Sequence, residues 1–281
     1  MSIPLTMRRA TPADKEAICA IATAIDPHDW LPNAFEWAVG LKEPDGLFVG
    51  EMEGRVVACY VMDVPRPGEG FLFGMRVDPA VQNAGVGSAF VPLQIEEARK
   101  QGIRNLFLTS AYLNFRAHHL VEKFGFHKRG EVVVWPDITD VKLTGAPVKA
   151  RPARPDDLPK IEPFRRLHMG DVAPSQFSAY TFVTLAEEDW ALDGLWVVDG
   201  ADGALDGLML TSRQPEYLVI RRLEGSLEAA EDLLRVAAAK LRSEGLKSME
   251  IGLPTRCEVL LAPLGLDPRK PDRWFLFQRK M

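Results

Sequence analysis

Apolar positions in the first half of the chain fall into short alternating runs separated by glycine and proline, with helix-spaced stretches between them. Leu5–Arg9 reads as a short strand. Thr11 is placed to cap a helix, with Pro12 at its first position and Asp14 at its third, a variant of the capping box. Leu47–Met52 and Val56–Val61 read as strands joined by the hairpin signal Glu53-Gly54, and Phe71–Val77 as a third strand ending at Asp78-Pro79. A helix is expected from about Gly85 to Lys100, closed by Gly102, with a kink or an early irregular turn at Pro92. Leu106–Thr109 then reads as a strand, Phe115–Lys123 as a helix and Gly130–Trp135 as a final strand.

The second half repeats this punctuation. The run Arg8 to Asp14 aligns without gaps to Arg151 to Asp157, and Gln82 to Gly85 aligns to Arg222 to Gly225. Lys100 to Ile103 aligns to Ser243 to Leu246, and Phe124-Gly125-Phe126 to Leu264-Gly265-Leu266, in the same order and at nearly constant spacing. Such self-similarity points to duplication of one unit. In the second copy Leu227, Ala230, Leu234, Ala237 and Leu241 predict the apolar stripe of a long helix capped by Ser226. The expected architecture is α/β, with two tandem mixed-sheet domains spanning 1–145 and 146–281, the boundary lying near Thr144–Lys149 at Gly145 and Pro147.

Composition narrows the class. With 281 residues, 47% hydrophobic and 26% charged, the chain has the balance of a soluble globular protein and room for two domains. No stretch approaches the roughly 20 apolar residues of a membrane span, and nothing resembles a signal peptide. A net charge of −5 argues against non-specific binding to nucleic acid or anionic membrane. Cys19, Cys59 and Cys257 are scattered without metal-ligand spacing and read as reduced thiols of a cytoplasmic protein, with no metal expected.

The telling segment is Val77-Asp78-Pro79-Ala80-Val81-Gln82-Asn83-Ala84-Gly85-Val86-Gly87-Ser88, a strand, a turn and a helix start. Gly85 and Gly87 permit close backbone approach, and a helix N-terminus leaves unpaired N–H groups that suit a diphosphate. Gly-Lys-Ser/Thr is absent, and Phe90 stands where a dinucleotide fingerprint needs a small residue. The pattern resembles the acetyl-CoA pyrophosphate loop of the GNAT superfamily of N-acetyltransferases. Asn114-Phe115-Arg116-Ala117-His118-His119-Leu120-Val121-Glu122-Lys123-Phe124-Gly125-Phe126 resembles that family's second conserved stretch. The resemblance covers about residues 5–136; the second half enters only through the repeat. It implies two tandem GNAT-like domains, the second degenerate, since Leu227 replaces the second loop glycine and Pro254 falls near the place of Asn114 while Arg222 keeps a charge beside Gly225. It further implies that Met75 and Val77 offer backbone to the pantetheine of acetyl-CoA. Gln82, Asn83, Ala84, Gly85, Val86, Gly87 and Ser88 would surround its pyrophosphate, and Asn114 and Ala117 would flank the cofactor. Asn114 reads equally as a helix N-cap.

Position 121 departs from the family, which often carries a tyrosine there as general acid; this chain has Val121. His118 on the same helix face and Tyr112 before the helix are substitute proton donors, and His118 reads also as a packing histidine. Glu69 is the nearest candidate base, on the face of Phe71, or else a loop carboxylate. Asp26, His28, Asp29, Trp30, Glu36 and Trp37 read as a wall for a cationic amine, or as one amphipathic helix packed for stability. The expected activity is transfer of an acetyl or short acyl group to an amine of a small molecule or peptide by direct attack. The competing reading is a non-catalytic acyl-CoA-binding or scaffold protein.

Overall fold

The computed structural model describes residues 4–139, 141, 143–168, 172–174, 182–184, 193–266 and 271–281. In chain order its elements begin with β1 (Leu5–Arg9), α1 (Lys15–Ile25), α2 (Leu31–Gly40), β2 (Gly46–Met52), β3 (Arg55–Arg66) and β4 (Glu69–Val77). There follow α3 (Val86–Lys100), β5 (Asn105–Ala111), α4 (Phe115–Lys123) and β6 (His127–Ile138). The later part holds β7 (Arg151–Pro152), α5 (Leu158–His168), β8 (Val172–Pro174), β9 (Phe182–Thr184), β10 (Leu195–Asp199), β11 (Leu205–Arg213) and β12 (Tyr217–Gly225). It closes with α6 (Leu227–Ser243), β13 (Ser248–Pro254), a 3-10 helix over Thr255–Leu264, and β14 (Asp272–Lys280).

These elements form two compact units. One comprises Met1–Arg129 together with Leu276–Met281, the other Gly130–Phe275. The division falls earlier than the expected 145/146 boundary because β6 pairs antiparallel with β13, Ile251 opposite Trp135 and Leu253 opposite Val133. Backbone pairing, rather than the Gly145-Ala146-Pro147 punctuation, decides where that strand belongs.

In the first unit the strand order is β1-β2-β3-β4-β5-β14. The β2–β3 turn is made by Glu53 and Gly54, both with positive φ (54° and 76°), as a two-residue hairpin with right-handed strand twist demands. One face of this sheet packs Leu47, Val49, Cys59 and Val61 against Ile18, Ala22, Leu31 and Phe35 of α1 and α2. On the other, Phe48 stacks on Tyr60 at 5.2 Å and Phe90 of α3 meets Tyr60 edge-on at 5.5 Å. Each such fully buried side chain contributes about 1.5–3 kcal/mol relative to exposure. The expected kink or irregular turn at Pro92 does not interrupt α3, and its ring lies on the exposed side of the helix.

The first unit begins with a tight charged knot. Arg8 donates to both oxygens of Asp14 at 2.8 and 2.7 Å, and the N–H of Thr11 donates to Asp14 Oδ2 at 2.7 Å. The Arg8 guanidinium holds the Asp14 carboxyl down at about 2. In the second unit Arg151 donates to both oxygens of Asp157 at 2.7 and 2.9 Å, and the N–H of Arg154 to Asp157 Oδ2 at 2.8 Å. Here the strand order is β6-β13-β12-β11-β10-β7. Ala230, Leu234, Ala237 and Leu241 of α6 are buried against Met209, Leu218, Ile220 and Ile251, as their spacing predicts. Leu227 departs from that stripe and is 55% exposed, because the first residue of α6 points away from the sheet.

Candidate active site

Strands β4 and β5 run parallel and pair only from Glu69↔Asn105 to Leu72↔Leu108. Beyond Leu72 they separate, leaving backbone groups of β4 on one side of a wedge unpaired by β5. The separation coincides with a bulge. Phe73 lies opposite Val61 and Arg76 opposite Cys59, so Gly74 and Met75 together face the single residue Tyr60. Gly74 has φ 66°, as the first residue of a glycine bulge requires. The extra residue reverses the side-chain alternation. Phe73 and Arg76 therefore share the α1/α2 face, while Met75 turns toward α3, its Cε 3.7 Å from where a Cβ on Gly87 would stand.

The anion turn lies past Val77. Asp78 accepts the Ala80 N–H at 2.9 Å, and Gln82 folds back to donate to the Val77 carbonyl at 3.1 Å. Asn83 adopts φ 67° and Gly85 φ 87°, so the chain enters α3 through left-handed backbone. Gly85 offers no side chain to cap the helix, and the first intrahelical bond comes from Ala89 N–H at 3.0 Å. The N–H groups of Val86, Gly87 and Ser88 thus face outward with the positive helix end behind them. A Cβ at Gly87 would come within 3.3 Å of Leu120, so this glycine keeps α3 and α4 close beside the turn.

On α4, Asn114 is the N-cap and accepts the Ala117 N–H at 3.1 Å. His118 is buried, its Nε2 3.0 Å from the Ala111 carbonyl and its ring 5.5 Å from that of Phe277. This placement is that of a packing histidine tying the β5–α4 corner to the returning β14. Val121 is also buried. Tyr112 is 43% exposed at the end of β5. Glu69 is buried at the first position of β4, opposite Asn105 in the paired stretch, roughly 26 Å from Val77 at ~3.3 Å per residue.

The region between α1 and α2 meets β4 at the bulge. Arg76 donates to both oxygens of Asp29 at 2.9 Å, lies 5.2 Å over the Trp30 ring, and is largely buried, as is Asp29. Trp30 stacks on Phe73 at 6.0 Å and Trp37 approaches it at 6.5 Å, both indoles keeping exposed surface. Asp26 accepts the His28 N–H, and Glu36 pairs with Lys15 at 2.7 Å. The single expected helix is therefore confined to α2, from Leu31 on, and of its carboxylates Asp29 is already satisfied by Arg76.

The sequence model of the acetyltransferase (GNAT) family matches residues 14–126. An aminoglycoside N(6′)-acetyltransferase type 1 from Stenotrophomonas maltophilia is 33% identical over 137 residues, 46% of this chain and 90% of the relative. The chain belongs to the GNAT family of acetyltransferases. Among solved structures, a GCN5-related N-acetyltransferase from Sphaerobacter thermophilus covers 98% of this chain and 95% of its own at 15% identity, TM-score 0.59. An acetyltransferase from Thermoplasma acidophilum described as putative in its own structure covers 98% and 100% at 15% identity, TM-score 0.54. Both share the fold.

GNAT enzymes use acetyl-CoA, and the first unit has the groups to hold it: free N–H groups at the start of α3, a turn without side-chain bulk, and unpaired β4 backbone past Leu72. Two contributors escaped the sequence reading. Arg116 donates to Asn83 Oδ1, bringing a cation beside the anion turn. A cation in the first turn of a helix opposes the dipole, and that was the available signal. Gly74 inside a strand was the signal for the bulge.

The corresponding place in the second unit differs. Ser226 caps α6 by accepting the Ala229 N–H at 3.1 Å and donates to Asp206 at 2.8 Å. A Cβ on Gly225 would meet the Asp206 carbonyl at 2.2 Å, so that glycine serves packing on β11. Arg222 does not stand beside the turn as a free charge: it is fully buried and donates to the Val172 carbonyl. Bulk at Leu227, with Pro254 near the place of Asn114, is the difference expected from the sequence. The Leu227 side chain is exposed, and the structural difference lies in the hydroxyl cap and the acid beside it.

Proposed function

We propose that the protein transfers an acetyl or short acyl group from acyl-CoA to an amine of a small molecule or peptide, using only its first unit. The observation that carries this reading is the uncapped, glycine-entered start of α3 beside the β4/β5 wedge. Bound there, acetyl-CoA supplies an activated acyl group as a thioester. Met75 and Val77 flank its pantetheine, Gln82 through Ser88 enclose its diphosphate, and Asn114 and Ala117 border it. Tyr112, exposed at the end of β5, is a side chain with a proton to give. Expulsion of a thiolate, with a pKa of about 8.5 on the cysteine scale, needs little assistance near neutrality.

The amine attacks directly. Burial pushes the Cys59 thiol up to about 12 and the Cys257 thiol up to about 12, which removes both as nucleophiles at neutral pH. We read the second unit as a degenerate copy of the first. The recurring knots Arg8–Asp14 and Arg151–Asp157, and the parallel pairing of β12 with β13 that stops at Ile220↔Ile251 as β4/β5 stops at Leu72, support a duplication. The three free thiols support a reducing compartment such as the cytoplasm.

The test is acetyl-CoA turnover over a panel of amines, read as thiol release. Turnover of at least one amine is expected. Tight acetyl-CoA binding with no turnover across the panel would instead establish the scaffold reading, which Val121 at the usual tyrosine position favours.

A further inference from the structure

We propose that Asp63, with Asp45 beside it, receives the ammonium group of the acceptor and takes its proton, so that the acceptor is a cationic primary amine. The inference rests on the acetyl-transfer reading above and deepens it.

Asp63 lies on β3 directly opposite Phe71, and paired residues of an antiparallel ladder point to the same face. Two residues earlier on β3, Val61 belongs to the α1/α2 core, and Phe71 lies 6.2 Å from Phe73, on which Trp30 and Trp37 rest. Asp63 therefore faces the aromatic wall, on the strand adjoining β4. Trp30 already carries the Arg76 guanidinium on its ring, while the Trp37 indole is exposed and can receive an ammonium group on its face.

Asp63 is half-buried, and so is Asp45, whose Oδ1 accepts the N–H of Val64, the residue after Asp63. Neither carboxylate has a cationic partner among the described residues. The surrounding charges are engaged elsewhere. Arg9 of β1 donates to the carbonyls of Leu41 and Asp45 and lies 5.8 Å over Phe48, Lys15 of α1 pairs with Glu36 of α2, and Arg66 stands opposite Glu69 on the β3–β4 hairpin. Two adjacent, partly desolvated acids without a counter-ion raise the energy of the ionised state, and an incoming ammonium relieves it. Desolvation first and the Asp45 charge second raise Asp63 to about 6, the range in which a carboxylate is both ionised at neutral pH and basic enough to accept a proton.

The step balances as follows. The ammonium gives one proton to Asp63, and the freed nitrogen lone pair forms the C–N bond at the thioester carbonyl carbon. The C–S bond breaks with its electron pair on sulfur, the thiolate takes the second nitrogen proton through water, and Asp63 returns its proton to solvent.

The experiment measures kcat/KM with acetyl-CoA and three amines: spermidine, kanamycin and p-toluidine, the last uncharged near neutrality. Wild type is expected to acetylate a cationic amine in preference to p-toluidine. Asp63→Asn should lower kcat/KM for that cationic amine at about pH 7 by about 100-fold or more, with the KM for acetyl-CoA within about twofold of wild type. The deficit should shrink as pH rises and free amine accumulates. Asp45→Asn should give a smaller loss. Asp63→Ser repeats the test should the asparagine variant fold poorly, as judged by circular dichroism. Wild-type kcat/KM in Asp63→Asn, or a loss confined to Glu69→Gln, overturns the proposal. Turnover of p-toluidine alone overturns the acceptor class and leaves acetyl transfer standing; no turnover of any amine by a protein that binds acetyl-CoA overturns both.

Discussion

Arg76 holds Asp29 by two hydrogen bonds of 2.9 Å, and through that pair the segment between α1 and α2 is fixed to the bulge of β4. The link joins the aromatic wall to the strand that lines the wedge, so a displacement of one reaches the other. Both partners are largely buried, and removing one leaves the other as a buried charge without a counter-ion. Asp29→Ala is expected to cost about 3–5 kcal/mol in urea denaturation. Arg76→Met combined with Asp29→Leu should recover much of that loss. A single variant as stable as wild type would show that water, rather than the partner, satisfies the charge.

The cradle predictions concern two glycines with different duties. Gly85, at φ 87°, should lose about 1–2 kcal/mol of stability on replacement by alanine. Gly87→Leu should instead weaken acetyl-CoA binding by about tenfold or more, because a larger side chain pushes apart α3, α4 and Met75. Calorimetry separates the two, and unchanged affinity in Gly87→Leu would contradict the assignment of the turn.

A third expectation is one acetyl-CoA per chain. Ser226 already satisfies the start of α6, and Asp206 beside it repels an anion. Leu227→Ala should leave the affinity and the stoichiometry untouched, while Ser226→Ala should cost about 1 kcal/mol of stability. Two binding events in a titration would overturn this.

Asp63 also makes a stability prediction independent of any substrate. Its pKa is raised from 3.8 to about 6, so between those values the folded protein holds a proton that the unfolded chain has released. Stability therefore falls as pH rises through that window. Asp63→Asn should melt above wild type at about pH 8 and at the wild-type temperature near about pH 4. Equal melting temperatures at both pH values would mean that the carboxylate is better solvated than its surroundings imply.

Direct attack predicts ternary-complex kinetics and a Cys59→Ala variant within a few-fold of wild type. Ping-pong kinetics with an acetylated peptide trapped in the absence of acceptor would replace it with a covalent route.

Most strands and helices of the first unit were legible because their signals are local. Glu53-Gly54 requires a hairpin wherever it sits between apolar runs, and Phe115–Lys123 is bounded by its own cap. The turn into α3 was legible for the same reason, Gly85 being needed by its own left-handed backbone within a few residues of the helix start. The surroundings of Asp63 and the duty of Asp29 were not legible. Each depends on which residue lies opposite on another strand, and the bulge at Gly74 shifts that register by one. His118 shows the same limit: its spacing on α4 is open to several roles until Phe277, far along the chain, is seen against its ring.

The six residues Leu276–Met281 complete a unit whose other residues end at Arg129. Met281 N–H bonds the Arg104 carbonyl at 2.9 Å, and Gln278 bonds Asn105 at 3.0 Å, beside β5. A ribosome adding about 5–20 residues per second needs on the order of ten seconds to make the intervening stretch. Throughout that interval the nascent first unit presents β5 as an open sheet edge, the kind of surface that recruits other chains. Its finished form arrives only with the last of these residues, so the unit proposed to hold the acyl donor is, in the order of synthesis, the one that matures last.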